Sequence, residues 1–273
     1  MSPFRHTVLG FTLICVAAGS SRAQSKVCCL DEEQNPRASI EPEVEIPTTA
    51  TARKDIGCPW KCRIVTTTFW VGESPTRKNP APNRVSAWDD HWAQRYGGYD
   101  DPDSRNRRGY IPARFIPSQN PFYVALPYND ISRSHVKPEA ALVIPWFKAE
   151  FTDEGKSVCH GHWVAIRHGG RTVYAQWEDC GPFRTDHWEY VFGNDRPKPN
   201  MNKGAGLDVS PAVRDYLGMG DTDITDWRFV GEGDVPVGPW RLYGDNNTFV
   251  INARKAAVAS AMRPSTQPRV ELN

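Results

Sequence analysis

Two acidic residues, Asp179 and Asp208, lie at the ends of short apolar runs. Asp179 belongs to residues 177–183 (WEDCGPF), and Asp208 belongs to residues 206–219 (GLDVSPAVRDYLGM). Each run has the composition of a β-strand, and the second is followed directly by a helix start. Two carboxylates that separate strands bring to one cleft are the minimum equipment for acid/base chemistry on a glycosidic bond. The pair is therefore the first candidate for a catalytic site.

Asp208 is the first catalytic candidate. Strand alternation points its side chain away from the apolar neighbours Leu207 and Val209. A buried carboxylate without a partner costs free energy, so this residue must line a groove or serve another polar purpose. Capping is the alternative, because Asp208 and Ser210 both lie beside the N-terminus of the following helix.

Asp179 is the second catalytic candidate. The sharp turn at Gly181 and Pro182 is expected to hold its carboxylate at the end of a strand. Its neighbour Glu178 points to the opposite face, so only one of these two acids can share a cleft with Asp208. The alternative is an Asx-turn in which Asp179 only stabilises the bend.

The elements that must position these acids are short strands. A two-residue turn at Gly169–Gly170 predicts a hairpin, and Ser210, Pro211 and Gly218 predict the N-cap, first position and C-cap of one short helix. A further short helix is expected within residues 85–95. Many strands with little helix indicate an all-β barrel. The predicted strands are residues 63–71, 121–127, 140–151, 163–168, 171–177, 206–209, 226–230 and 240–243.

The chain divides into five predicted parts. Residues 1–23 read as a secretory signal peptide, with Arg5 and an apolar run from Val8 to Ala18. Residues 24–57 have the composition of a flexible leader. The barrel domain is expected at residues 58–252 with a long irregular insertion at 73–119, and residues 253–273 form a tail. The insertion's aromatic residues could form a sugar platform or a satellite core: Trp88, Trp92, Tyr96, Tyr99 and Tyr110.

Charge and cysteine content narrow the functional class. The chain carries 33 basic and 32 acidic residues, a balance that argues against nucleic acid as a partner. An exported chain with six cysteines after the signal segment predicts disulfides, assigned here as Cys159–Cys180 and Cys58–Cys62. Residues 159–162 (CHGH) resemble a metal motif, but no clean third and fourth ligands follow, so neither a metal nor another cofactor is predicted.

Residues 172–230 resemble the double-psi β-barrel family, which includes rare lipoprotein A-like lytic transglycosylases and the catalytic-like domain of expansins. The resemblance rests on Asp-x-Gly-Pro-Phe, then Leu-Asp-Val-Ser, then a helix ending in Leu-Gly-Met. It implies a six-stranded double-psi barrel with Asp208 and Asp179 in the substrate groove. The family more often has Asn-Asp-Arg-Gly-Pro-Phe, and Glu178 and Cys180 replace the Asn and Arg here.

The signal segment predicts a secreted or periplasmic protein, which is expected to be a monomer. The resemblance implies that it acts on cell-wall glycan, either peptidoglycan or β-glucan. In the lytic transglycosylase interpretation Asp208 protonates the leaving oxygen, and Asp179 orients the substrate or stabilises charge. The alternatives are a non-catalytic, expansin-like binding or wall-loosening module and a barrel whose insertion binds a protein. The predicted substrate-binding residues are Thr66, Thr68, Trp70, Tyr128, Trp177, Phe183 and His187.

Overall fold

The computed structural model describes residues 58–76 and 82–262. The predicted signal segment, the leader and residues 263–273 of the tail lie outside the described residues. The strands of the described part are β1 (Lys61–Thr68), β2 (Arg107–Arg108), β3 (Ile111–Pro112), β4 (Tyr123–Leu126), β5 (Ile131–Ser132), β6 (His135–Val136), β7 (Trp163–His168), β8 (Arg171–Cys180), β9 (Leu207–Val209) and β10 (Thr222–Val230). Its α-helices are α1 (Trp92–Tyr96), α2 (Ala140–Val143), α3 (Phe147–Glu150), α4 (Trp188–Val191), α5 (Pro211–Leu217) and α6 (Thr248–Ala261).

Six of these strands close into a barrel in the order β1-β10-β7-β8-β4-β9, which confirms the predicted six-stranded all-β barrel. Four neighbouring pairs are antiparallel. The other two, β1 with β9 and β4 with β8, are parallel. Closure leaves none of the six strands with an unpaired edge. Strand β9 is therefore held between β1 and β4, with strands distant in sequence on both sides.

The local signals around β9 fold as their residue types dictate. The Ser210 hydroxyl accepts a hydrogen bond from the backbone N–H of Val213 at 3.3 Å, and Pro211 occupies the first helical position of α5. Gly218 ends the helix with a φ of 69°, a left-handed conformation that glycine adopts without steric cost. Ser210, and not Asp208, therefore caps α5.

The barrel and the insertion have separate apolar clusters. The larger cluster fills the barrel with side chains such as Val124, Leu126 and Val209. The smaller cluster lies under the insertion and combines Phe69 and Ala125 with Trp92 and Tyr96, both of which are buried. Two of the insertion's aromatic residues therefore belong to a satellite core, and α1 is packed directly against the end of β1 and the middle of β4.

The structure corrects two of the predicted strands and the number of helices. Residues 140–151 form helices α2 and α3 on either side of Pro145, because a proline interrupts a strand ladder but is tolerated next to a helix end. Residues 239–241 form a 3₁₀ turn. Helix α1 covers only the end of the predicted segment 85–95.

None of the helices within the described residues is both long and apolar enough to cross a bilayer.

Neither of the two assigned disulfides is formed. Cys159 and Cys180 are separate thiols, and the Cys180 Sγ donates a hydrogen bond to the Tyr128 carbonyl at 3.0 Å. Cys62 is disulfide-bonded, but Cys58 is not its partner. Cys62 lies in β1, and an extended chain rising about 3.3 Å per residue carries it away from Cys58.

Candidate functional site

Asp179 and Asp208 are held on either side of Ala125, the central residue of a three-strand unit. Ala125 of β4 pairs with Asp208 of β9 on one side and with Asp179 of β8 on the other. Neighbouring strands lie about 4.8 Å apart, so the two aspartate Cα atoms are separated by roughly 10 Å. All three side chains line one cavity of about 320 Å³. The topology therefore delivers both carboxylates to one place from separate strands.

Alternation and a β-bulge aim the two acids at the same cavity. Leu207 and Val209 lie in the barrel interior, which turns Asp208 outwards. In β8 the register shifts, so that Val124 pairs with Trp177 while Ala125 pairs with Asp179. Such a bulge re-aims the side chain that follows it.

The skipped residue, Glu178, is buried on the other side of the strand. It accepts hydrogen bonds there from Asn246 at 3.1 Å and pairs with His160 at 2.7 Å. It does not line the cavity shared by the two aspartates.

The Asp208 carboxylate is half-buried between a hydroxyl and a glycine. The Thr67 hydroxyl donates a hydrogen bond to Oδ1, and a methyl group placed on Gly181 would lie 3.6 Å from Oδ2. Burial raises the pKa of Asp208 to about 7. The Thr67 hydrogen bond opposes that rise, and the negative charges of Asp179 and Glu73 add to it. A carboxyl with this pKa can hold a proton near neutral pH and then release it.

The Asp179 carboxylate is held by two backbone N–H groups. Oδ1 accepts from Ala87 at 2.8 Å and from Cys180 at 2.7 Å. Burial raises the pKa of Asp179 to about 7 against the effect of these donors, and Glu178 adds a like charge. The Cys180 N–H belongs to the next residue along the chain, whereas the Ala87 N–H comes from the insertion.

The two carboxylates form a coupled pair in which protonation of one favours ionisation of the other. Asp179 has two N–H donors that stabilise its charged form, and Asp208 has one hydroxyl donor. The arrangement therefore favours an ionised Asp179 and a protonated Asp208. This is the division of roles that an acid and a charge-stabilising partner require.

A second cavity of about 850 Å³ continues from the aspartate pair along the end of β1. It shares Phe69, Phe183 and Asp208 with the first cavity. Glu73 lies in its wall, nearly buried, and its Oε2 accepts a hydrogen bond from Asn83 at 2.9 Å. The site is thus an open cleft with a third carboxylate along one side.

Three of the predicted substrate-binding residues line this cleft: Thr68, Trp70 and Phe183. Phe183 is 44% exposed, and its φ of 61° is an uncommon backbone conformation for a bulky residue. The ring projects over the cavity from the turn that follows Asp179. Phe69 and Phe183 line the cavity beside both acids and give it apolar walls.

The structure moves Thr66 and Trp177 into the core. Thr66 is fully buried and hydrogen-bonds to Thr225 at 2.8 Å, because its register partner on β9 is the interior residue Leu207. Trp177 is also fully buried, and its indole N–H donates to the Asp179 carbonyl at 2.8 Å. Neither side chain reaches the cleft, although Trp177 holds the strand end that carries Asp179.

Tyr128 and His187 are likewise corrected to buried positions. The Tyr128 hydroxyl donates to Glu139 at 3.4 Å, and its ring packs on Phe192. The backbone N–H of His187 donates to the Pro127 carbonyl at 2.9 Å. This contact draws the segment onto the end of β4 and leaves the imidazole 1% exposed.

The two histidines of the metal-like motif each contact a glutamate. His160 pairs with Glu178 at 2.7 Å, and His162 pairs with Glu150 at 2.8 Å. Within residues 58–76 and 82–262, no three histidine, cysteine or acidic side chains converge on one point that could hold a metal ion.

Sequence reasoning missed three groups of the site. Thr67 is the register partner of Asp208, one residue along from the predicted Thr66. Glu73 and the backbone N–H of Ala87 come from the insertion, which had no periodic pattern to place them. The alignment of β1 with β9 would have identified Thr67, whereas a backbone donor leaves no signal in the residue types.

Comparison with known proteins does not indicate a function for the barrel or for its acidic cleft. No family model matches the chain, and no curated protein matches it. Among solved structures, the Streptomyces papain inhibitor (SPI) aligns with 62% of this chain and 93% of its own, at 15% sequence identity and a TM-score of 0.25. A likeness at this level carries no information about what the chain binds. The class defined by the fold and the cleft is a closed six-stranded β-barrel bearing a pair of cavity-lining carboxylates.

Proposed function

We propose that this protein is an exported member of the double-psi β-barrel family that cleaves glycosidic bonds in cell-wall glycan, in the manner of a lytic transglycosylase. One observation carries the proposal: Asp179 and Asp208, each with a pKa raised to about 7, flank Ala125 in one cavity. Structural carboxylates in ion pairs have lowered pKa values. Raised values in an open cleft suit a group that exchanges a proton.

The barrel topology is consistent with that family. Two parallel pairs, β1 with β9 and β4 with β8, occur within an otherwise antiparallel six-stranded barrel. The motif residue Asp179 lies near the end of β8, and the motif residue Asp208 lies in the middle of β9. Each of these strands belongs to one of the two parallel pairs. The family assignment rests on this topology together with the short sequence motifs.

In the first step Asp208 acts as the general acid. Its proton passes to the bridging oxygen as the bond between that oxygen and the anomeric carbon breaks. The departing sugar leaves as an alcohol, and positive charge develops at the anomeric carbon. Asp179, whose ionised form is favoured by the N–H groups of Ala87 and Cys180, stabilises this charge.

In the second step Asp208 acts as the base. Its carboxylate removes a proton from a hydroxyl of the same sugar as that oxygen bonds to the anomeric carbon. An anhydro ring closes, Asp208 regains its proton, and no water is consumed. The Thr67 hydroxyl steadies Asp208 while it is ionised between the two steps. Entry of a water molecule at this stage would give hydrolysis instead.

The proposal is tested by incubating the purified protein with peptidoglycan and, separately, with β-1,4-glucan. Mass spectrometry of the soluble products then distinguishes the chemistries. Anhydro-sugar ends support the transglycosylase, and reducing ends indicate hydrolysis by the same pair. Tight binding to either polymer without any product would replace the enzyme with the non-catalytic, expansin-like module.

A further inference from the structure

A third cavity of about 920 Å³ adjoins the cleft on the side of the insertion. It shares Trp70, Glu73 and Thr76 with the cavity that contains Asp208. These common wall residues make the two cavities neighbours along one path, which leads from the aspartate pair to Tyr99. The sequence motifs of the barrel do not include this region, because it is built largely by the insertion.

Tyr99 is the exposed aromatic residue of this third cavity. Its side chain is 47% exposed, whereas Trp92 and Tyr96 of the same insertion are 2% and 0% exposed. A large aromatic ring left open to water at a concave surface marks a binding position more often than an isolated surface residue does.

The backbone around Tyr99 is fixed rather than loose. The N–H of the next residue, Asp100, donates to the Val71 carbonyl at 3.0 Å. The Asp100 carboxylate is fully buried, with Arg107 at 2.6 Å and the Tyr123 hydroxyl at 2.8 Å. The Tyr99 ring also packs against Gly72, where an added methyl group would come within 3.2 Å of the ring. A ring held in this way binds a flat ligand at little cost in conformational entropy.

We propose that the insertion extends the substrate cleft, and that Tyr99 stacks on a sugar ring of the same glycan chain at a distance from the bond that is cut. This inference rests on the proposed function for the identity of the ligand. The apolar face of a β-linked pyranose matches an exposed aromatic ring. The exposed Arg84, Asp90 and Gln94 in the same wall offer hydrogen-bond donors and acceptors for the hydroxyl groups of a glycan chain.

The consequence is that affinity depends on chain length. A short oligosaccharide that occupies only the aspartate cavity cannot reach Tyr99, while a longer one spans both cavities. Each sugar that gains an aromatic contact adds binding energy, and about 1.4 kcal/mol corresponds to a tenfold gain in affinity. The substrate of this cleft is therefore a polymer and not a disaccharide.

The test uses calorimetric titration of the Asp208→Asn protein, so that no ligand is consumed. The probes are β-1,4-linked glucose oligomers and N-acetylglucosamine oligomers of two and six units. We expect the six-unit form of at least one series to bind about tenfold or more tightly than the two-unit form. Adding Tyr99→Ala should remove most of that gain, and Tyr99→Phe should keep it. Phe151→Ala, which removes another exposed aromatic ring outside the cleft, is the matched control.

Equal affinity for the two lengths, no binding in either series, or a length-dependent gain that survives Tyr99→Ala in a folded protein would overturn the inference. Product release by the unmodified protein reports separately on the proposed chemistry. Products without a Tyr99-dependent gain leave the chemistry standing and remove the extended cleft. A Tyr99-dependent gain in affinity without products supports the extended cleft and removes the proposed chemistry.

Discussion

Thr67 and Asp208 are register partners on two parallel strands, and the hydroxyl of the first donates a hydrogen bond to the carboxylate of the second. Their pairing joins β1, at the start of the barrel, to β9, which lies 141 positions further along the chain. The contact stabilises the ionised form of an acid that burial otherwise keeps protonated. Thr67 is therefore a positioning residue for the proposed acid.

Replacing Thr67 with valine should raise the pKa of Asp208 above its value of about 7, because the hydrogen bond that lowers it is lost. Carboxyl-carbon NMR titration of aspartate-labelled protein measures this directly. Thr66→Val is the matched control, since Thr66 lies on the same strand but points into the core. It should leave the Asp208 titration unchanged, and an equal shift in both variants would refute the role given to Thr67.

Asp208→Asn should stabilise the protein at pH 8 and have little effect at pH 4. A folded-state pKa near 7, compared with 3.8 for an unperturbed carboxyl, means that the folded protein holds a proton that the unfolded chain has released. Stability contributed by this group is thus present below about pH 4 and is lost as pH rises towards 7. The asparagine side chain does not ionise, so the variant avoids this loss. We expect its free energy of unfolding at pH 8 to be higher by on the order of 1–3 kcal/mol.

Urea unfolding at the two pH values measures this difference. Asp153→Asn serves as the control, because Asp153 is an exposed loop residue that is distant in sequence from Asp208. Equal destabilisation of the Asp208→Asn protein at both pH values would show that Asp208 is a structural anchor and not a strained acid.

Trp88→Phe should raise the pKa of Asp179 and lower activity several-fold without unfolding the protein. The Trp88 indole donates to Asn129 at 2.9 Å and packs edge-on against Trp177. These contacts fix the segment whose Ala87 N–H holds Asp179 at 2.8 Å. Loosening this segment weakens a hydrogen bond that lowers the pKa of Asp179.

The pH–rate profile is the measurement for this variant, since the limb that reports Asp179 should move to higher pH. Trp146→Phe loses an equivalent indole hydrogen bond, to the Val158 carbonyl at 2.6 Å, but Trp146 is not adjacent in the chain to a residue that holds Asp179. An unchanged profile in Trp88→Phe, or the same change in both variants, would contradict the argument.

Local rules explain what could be predicted from the sequence. The Gly169–Gly170 turn and the caps of α5 are decided by neighbouring residues, and both formed as expected. Alternation also placed Asp208 on the outer face, because its two neighbours are interior residues. The closed all-β barrel followed from many such short strands.

The parts that could not be predicted depend on contacts between distant segments. The choice of Thr67 over Thr66 follows from the register of β1 against β9, which periodicity within β1 does not contain. Tyr128 and His187 have residue types that suit a sugar site, but long-range packing buries them. Residues 140–151 are apolar enough for a strand, and only Pro145 indicated the two short helices found there.

Product release from peptidoglycan and β-1,4-glucan by Asp208→Asn, compared with Asp153→Asn and the unmodified protein, tests the central claim most directly. The account predicts that Asp208→Asn still binds the polymer but releases products at least about 10²-fold more slowly, while Asp153→Asn matches the unmodified protein. Undiminished product release by a folded Asp208→Asn protein would contradict it.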